Sequence, residues 1–253
     1  MTTSLLALAI GALIGLSLGL LGGGGSILMV PALVYLLGQD THTAVTSSLV
    51  IVGLNALAGA VMHRRAGDVR LGSALLFGSV GLATAFAGAR LSALLPSAVL
   101  LVLFALLMLA VATLMLRSRR EDTAQDAAPV IWWQLLAAGG AVGFLTGFLG
   151  VGGGFLIVPA LVLVLRLPMR QAVGSSLVVI AVNSVAGVLG HMGDVHLNWA
   201  MIGLLLAGGL PGLLAGTRWA GVLPPMRLRR GFAALVLALG TVLLAINLPQ
   251  LLA

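Results

Sequence analysis

All six acidic residues, Asp40, Asp68, Glu121, Asp122, Asp126 and Asp194, fall in gaps between long apolar runs, and the arginines gather in the same gaps. Runs of this kind fix the solvent, since about 20 consecutive apolar residues make a helix that crosses a hydrocarbon core. The 253 residues are 60% hydrophobic and 8% charged, where soluble domains carry roughly 25% charged residues. Too few polar residues remain to coat a water-soluble surface. The expectation is an all-α integral membrane protein, and a soluble globular enzyme is excluded.

The chain repeats itself. A shift of 128 positions lays residues 15–63 on 143–191 without a gap, with about 23 of 49 identical. Gly15, Gly19, Gly22, Gly24 and Gly25 fall on Gly143, Gly147, Gly150, Gly152 and Gly153, and Pro31 falls on Pro159. Ser47, Ser48, Asn55 and His63 fall on Ser175, Ser176, Asn183 and His191. Each half holds five apolar segments, near 4–21, 26–38, 42–62, 71–89 and 97–116, then near 131–149, 154–165, 171–189, 198–216 and 231–250. These divide the chain into a first membrane repeat, 1–116, a polar cytoplasmic linker, 117–130, and a second membrane repeat, 131–253.

The second segment of each half is too short to span. About 12 residues at 1.5 Å each reach roughly 18 Å, against a core of about 30 Å. About 8–10 hydrophobic helical segments are therefore expected, including short broken or re-entrant helices after the glycine runs. A hairpin over 4–38 followed by three spans is favoured over five full spans.

Cytoplasmic loops collect arginine, so arginine placement sets the topology. An even number of crossings per half divides the 13 arginines almost equally between the two faces. An odd number gathers those at 64, 65, 70, 117, 119 and 120 with those at 166, 170, 218, 227, 229 and 230, leaving only Arg90 opposite. The odd count makes the second repeat inverted relative to the first and puts both termini outside the cytoplasm. With no basic stretch before Leu5, no removable signal peptide is expected.

Two glycine runs stand at equivalent places in the two halves. Gly22-Gly23-Gly24-Gly25-Ser26 and Gly150-Val151-Gly152-Gly153-Gly154 each precede an apolar stretch and a proline. Such a run breaks a helix inside the membrane, which survives only where protein or a wet cavity satisfies the backbone. The N–H groups of Gly23, Gly24, Gly25, Ser26, Gly152, Gly153 and Gly154 then form a candidate anion site. Glycines spaced by four also serve close helix packing, which is the competing reading. The hydroxyls of Ser47, Ser48, Ser175 and Ser176 donate to an oxyanion without bringing charge into lipid, or satisfy carbonyls of their own helices. Asn55 and Asn183, two turns further on, are interhelical glue or ligand contacts. Pro31 and Pro159 are candidate hinges, and His63 and His191 candidate gating or proton-coupling groups.

Several chemistries are excluded. There is no cysteine, so no disulfide or thiolate metal site, and His42 and His196 lack metal-like spacing. No Lys-Ser/Thr follows either glycine run, so neither is a nucleotide P-loop. Serines without a nearby His and carboxylate in the membrane make no catalytic constellation. No carboxylate and no arginine is expected inside a span, so a cation would lack a counter-charge and an anion would be held by neutral donors. The net charge of +7 reflects topology rather than nucleic-acid binding. Trp132 and Trp133 mark a membrane interface.

The two glycine runs, each leading to Val-Pro-Ala-Leu at Val30 to Leu33 and Val158 to Leu161, followed by Ala-Val-x-Ser-Ser-Leu, Asn, Gly and His, resemble the TauE/SafE family of sulfite exporters and organosulfonate permeases. The resemblance covers about residues 4–250. It implies a small secondary carrier of the plasma membrane for sulfite, sulfoacetate or similar anions, usually of about eight spans in two like halves. The arginine distribution departs from a parallel duplication and is reconciled if some spans are broken or re-entrant. The absence of cysteine separates the chain from thiosulfate uptake proteins that depend on thiols.

The function expected is alternating-access transport of a small sulfur-containing anion, with a passive anion channel and a non-transporting membrane subunit as the other readings. No cofactor is expected. The partners are the substrate anion and the lipid bilayer, with the choice between monomer and homo-oligomer left open.

Overall fold

The computed structural model describes residues 2–92, 97–117, 132–149, 154–191 and 197–252. All regular structure in them is helical. In chain order it comprises α1 (Thr2–Leu21), a 3-10 stretch (Gly22–Leu28), α2 (Met29–Pro31), a π-helical stretch (Ala32–Leu36), α3 (Thr41–Arg65), α4 (Leu71–Ser92) and α5 (Ser97–Arg117). The second half supplies α6 (Trp132–Leu149), α7 (Gly154–Pro159), a π-helical stretch (Ala160–Val164), α8 (Met169–His191), α9 (Trp199–Val222) and α10 (Pro225–Leu252). Most of the linker expected at 117–130 lies outside the described residues.

Among the described residues, seven helical segments are long and apolar enough to cross a membrane. Large apolar side chains on them, among them Leu13, Leu57, Phe86, Leu114 and Ile246, face outward. Outward apolar surface of this kind suits lipid and would aggregate in water. Trp132 and Trp133 open α6, Trp199 opens α9 and Trp219 lies near its end, all exposed, as in an interfacial aromatic belt.

The helices pair across the two sequence halves, and glycines make the pairing possible. On α1, Gly11, Gly15 and Gly19 meet the backbone of Leu205, Gly209 and Leu213 on α9. On α6, Gly139, Gly143 and Gly147 meet Phe77, Gly81 and Ala85 on α4. The three contacts of one set are the 128-residue images of the other, and in both sets the helices run parallel. Backbone-to-backbone approach of this kind maximises dispersion where lipid offers no hydrophobic driving force.

The equivalent helices α3 and α8 instead run antiparallel. Gly59 meets Leu177, and its image Gly187 meets Leu49. Likewise α5 and α10 run antiparallel, with Gly240 beside Ala105 and Met108 and Arg229 reaching Met115. Antiparallel equivalents are consistent with the inverted relation that the arginine distribution predicts.

Between α1 and α2 the chain reverses. Gly22 has a left-handed backbone (φ +64), which glycine adopts without penalty. A Cβ on Gly25 would lie 2.7 Å from the Leu18 nitrogen, whereas seven residues of straight helix span about 10 Å. The apolar run 4–36 is therefore folded back, as the short second segment predicts. Both second segments end alike. Leu37 and Leu165 donate to Ala32 and Ala160 at 3.2 Å, and Gly38 (φ +66) and Arg166 (φ +54) then turn the chain.

One expectation is corrected. Arginine was expected outside the spans, yet Arg229 is buried, at 1% exposure. Helix α10 starts at Pro225 rather than near 231, which takes Arg229 into its first turns. Its Nε donates to the Met115 carbonyl at 2.8 Å, near the end of α5, where helix carbonyls lack intrahelical partners.

Candidate functional site

The tip of the first hairpin meets the start of α7. Gly23 lies against Gly154 so closely that a side chain on Gly23 would strike the Gly154 carbonyl. Ser26, the 128-residue image of Gly154, touches it, and its hydroxyl donates to the Gly23 carbonyl at 2.7 Å. A residue in contact with its own image lies close to the axis that relates the two halves. Gly24 faces the ring of Phe232, 3.0 Å from where a Cβ would stand. Gly152 and Gly153 lie outside the described residues.

The glycine run is thus both a break and a packing device. It is wound as a 3-10 helix from Gly22 rather than left extended. Its first N–H groups have no acceptor within that helix. Pro31 is exposed and Pro159 buried, each directly before a π-helical stretch, a local geometry that often accompanies functional sites.

The serines do not converge on one point. Gly187 lies against Leu49 near the start of α3, and His63 lies against Gly174 at its other end. Ser47 and Ser48 therefore stand roughly 20 Å along the α3–α8 pair from Ser175 and Ser176. Three of these hydroxyls are engaged. Ser48 donates to Val45 O at 2.8 Å, Ser176 donates to Val173 O at 2.7 Å, and Ser175 accepts from the Arg70 N–H at 3.1 Å. The Ser47 hydroxyl is fully buried without a hydrogen-bond partner among the described residues. Gly22 sits against the Ser176 hydroxyl, 2.5 Å from where its Cβ would be.

Asn55 is buried near the middle of α3, its amide against Gly209 and its Nδ2 donating to Ile51 O at 2.9 Å. Its Oδ1 and that of Asn183 are buried without partners among the described residues. An orphan oxygen accepts rather than donates, so as placed these atoms do not offer an anion a donor.

His63 ends α3 at 3% exposure. Its ring lies beside the Gly19 backbone, with Nδ1 3.9 Å from Asp68 Oδ2. Neither ring nitrogen has a hydrogen-bond partner among the described residues. The side chain of His191 lies outside them.

His63 borders a small, partly open cavity of about 50 Å³ shared with Asp68, Arg170, Val173, Thr217 and Leu228. The sequence reading missed Arg170 and Thr217. One signal was present: the duplicated Ala-Gly-x-Arg of α4 and α9 carries alanine at Ala89 and a hydroxyl at Thr217. On the same end, Arg70 Nε donates to Gln171 Oε1 at 2.9 Å, and Arg170 donates to the Gly221 and Leu223 carbonyls at 2.6 and 3.3 Å.

Outward apolar helices, cross-paired halves and a reversed glycine hairpin define a polytopic α-helical membrane protein of the transporter class. The chain belongs to the TauE/SafE family, described as sulfite exporters, whose sequence pattern matches residues 7–243. It is 38% identical over 234 residues, 90% of each chain, to a probable membrane transporter protein of Xylella fastidiosa (strain Temecula1). It is 31% identical over 219 residues, 77% of this chain and 78% of the other, to the probable membrane transporter protein YunE of Bacillus subtilis. The probable membrane transporter protein MJ0441 of Methanocaldococcus jannaschii is 27% identical over 193 residues, 74% of this chain and 72% of its own. No solved structure matches significantly.

Proposed function

We propose that the protein is a secondary transporter, not an enzyme, that moves a small sulfur oxyanion, sulfite or an organosulfonate such as sulfoacetate, across the plasma (inner) membrane by alternating access. The observation that carries this reading is the contact of Ser26 with its image Gly154, because it sets a helix break beside the axis of the duplication, where inverted-repeat transporters hold their substrates. Two membrane repeats, 1–116 and 131–253, are joined by a cytoplasmic linker. The arginine-rich end is cytoplasmic and both termini are not.

The anion path has a waist and two flanking layers. Gly23, Gly24, Gly25 and Ser26 with Gly152, Gly153 and Gly154 form the waist, where backbone N–H groups receive the anion. Ser47 and Ser48 line the outer approach, Ser175 and Ser176 the inner. Asn55 and Asn183 stand at the level of the waist and turn a donor to the anion only when their amides rotate. The close fit of Gly23 on Gly154 is then a closed waist, opened when one repeat rocks against the other about Pro31 and Pro159. His63 and His191 gate the two ends.

Counterflow tests the reading. Proteoliposomes loaded with unlabelled sulfite, sulfoacetate or sulfate are given radiolabelled sulfite outside. Trans-stimulated uptake by sulfite and sulfoacetate is expected. Flux without trans-stimulation would identify a channel, and no flux with any of the three would defeat the sulfur-anion assignment.

A further inference from the structure

The cavity at the arginine-rich end has a mostly apolar wall that nonetheless carries polar groups which membrane packing does not require. Its buried wall carries His63, whose ring nitrogens make no hydrogen bond among the described residues, with the Asp68 carboxylate 3.9 Å from Nδ1. Arg170 Nε and the Thr217 hydroxyl are also buried without partners among the described residues, and both residues line the same space. Three elements, α3, α8 and α9, thus each bring a residue with an unsatisfied polar atom to one cavity. Buried polar groups left unpaired are costly, so a ligand that pairs them is favoured there.

The donors match an oxyanion. The guanidinium is a permanent cation with directed N–H groups, the hydroxyl donates, and a neutral imidazole carries one N–H. Asp68 also lines the cavity and offsets the charge of Arg170. The opposed charges of Arg170 and Asp68 leave the site able to hold an anion loosely, as a transit site must if the anion is to move on. Val173 links the cavity to the waist: it lines the cavity, and its backbone stands 3.2 Å from where a Cβ on Gly22 would be.

We propose that this cavity is a cytoplasmic loading site, where Arg170, Thr217 and His63 bind the transported oxyanion before it passes Val173 to the glycine waist. The inference rests on the transporter reading above. It also gives the duplicated fold a direction. By the 128-residue shift, His42 stands at the outer position of Arg170 and Ala89 at that of Thr217. At those two positions the outer half of the sequence carries neither the guanidinium nor the hydroxyl.

Sided kinetics test it. Counterflow of radiolabelled sulfite is measured in inside-out and right-side-out vesicles for the wild type, Thr217→Val and Arg170→Gln. Thr217→Val removes a hydroxyl that folding does not use, so it stands as the cleaner variant should loss of the Arg170 bonds to Gly221 and Leu223 unfold the other. Each folded variant is expected to raise the KM from the cytoplasmic face roughly tenfold, the scale of one charged or buried hydrogen bond, with the outer KM unchanged. Equal changes on both faces, or none, would overturn the loading site while leaving the transporter reading in place. A wild type without counterflow would overturn both.

Discussion

Ser26 and Gly154 are images of one another in the duplicated sequence, and they touch: the Ser26 hydroxyl occupies the space that a side chain on Gly154 would enter. The contact couples the two halves, so the pair behaves as a unit. Gly154→Ala is expected to lower the melting temperature in detergent, and Ser26→Ala in the same chain to recover part of the loss. Recovery is partial because the Gly23 carbonyl also lies 3.0 Å from the new methyl. A double-mutant cycle with no coupling would show that the two residues do not meet.

The crossing of α1 on α9 and its image, α6 on α4, make a second pair of predictions. A leucine at Gly15 or Gly143 would drive its side chain into the backbone of Gly209 or Gly81, and both variants are expected to lose the folded fraction on size exclusion. Alanine at Gly72 or Gly203 meets nothing within 4 Å and is expected to raise stability by about 0.5–1 kcal/mol, the helical preference of alanine over glycine. Equal sensitivity at all four positions would mean that the crossings are not close.

Much of this fold was legible because lipid allows few solutions. Apolar segments, the duplication and one-sided arginines anticipated the helices, the reversed hairpin and the antiparallel equivalents. The glycine run was harder to read, since Gly15 and Gly19 pack helices while Gly22 turns the chain, and residue type alone does not separate those uses. The cavity was hidden for a different reason. Arg170 and Thr217 stand 47 positions apart in sequence, and no local spacing announces that α8 and α9 bring them to His63. The burial of Arg229 was missed because the start of α10 was placed after it, although a helix end draws arginine to free carbonyls.

Gly38 and Arg166 occupy one conformation in the two halves, and only one of them suits it. Left-handed backbone costs a residue with a Cβ about 1–2 kcal/mol. Gly38→Ala is expected to destabilise the protein by about 1 kcal/mol, although nothing stands within 4 Å of the new methyl. Arg166→Gly is expected to stabilise it by a similar amount, less the greater freedom of an unfolded glycine. Thermal unfolding of both variants in the same detergent checks the pair. A drop for Arg166→Gly would show that the guanidinium contributes more than its backbone strain costs.

Ser47 and Ser48 are adjacent, yet their hydroxyls stand in opposite conditions. Ser48 donates to Val45 O, whereas the Ser47 hydroxyl is buried with no partner. A buried orphan hydroxyl costs about 1–3 kcal/mol, so Ser47→Ala is expected to leave the melting temperature unchanged or raise it. The same variant is expected to weaken substrate, raising the KM for external sulfite severalfold, because the proton it loses is free to bind an anion. Ser48→Ala is expected to change the KM little, its proton being held by the helix. An unchanged KM in both variants would assign both hydroxyls to packing and remove the outer serine layer from the anion path, and equal rises would show that the Ser48 proton also reaches the anion. A fall in melting temperature for Ser47→Ala would instead mean that its hydroxyl stabilises the fold.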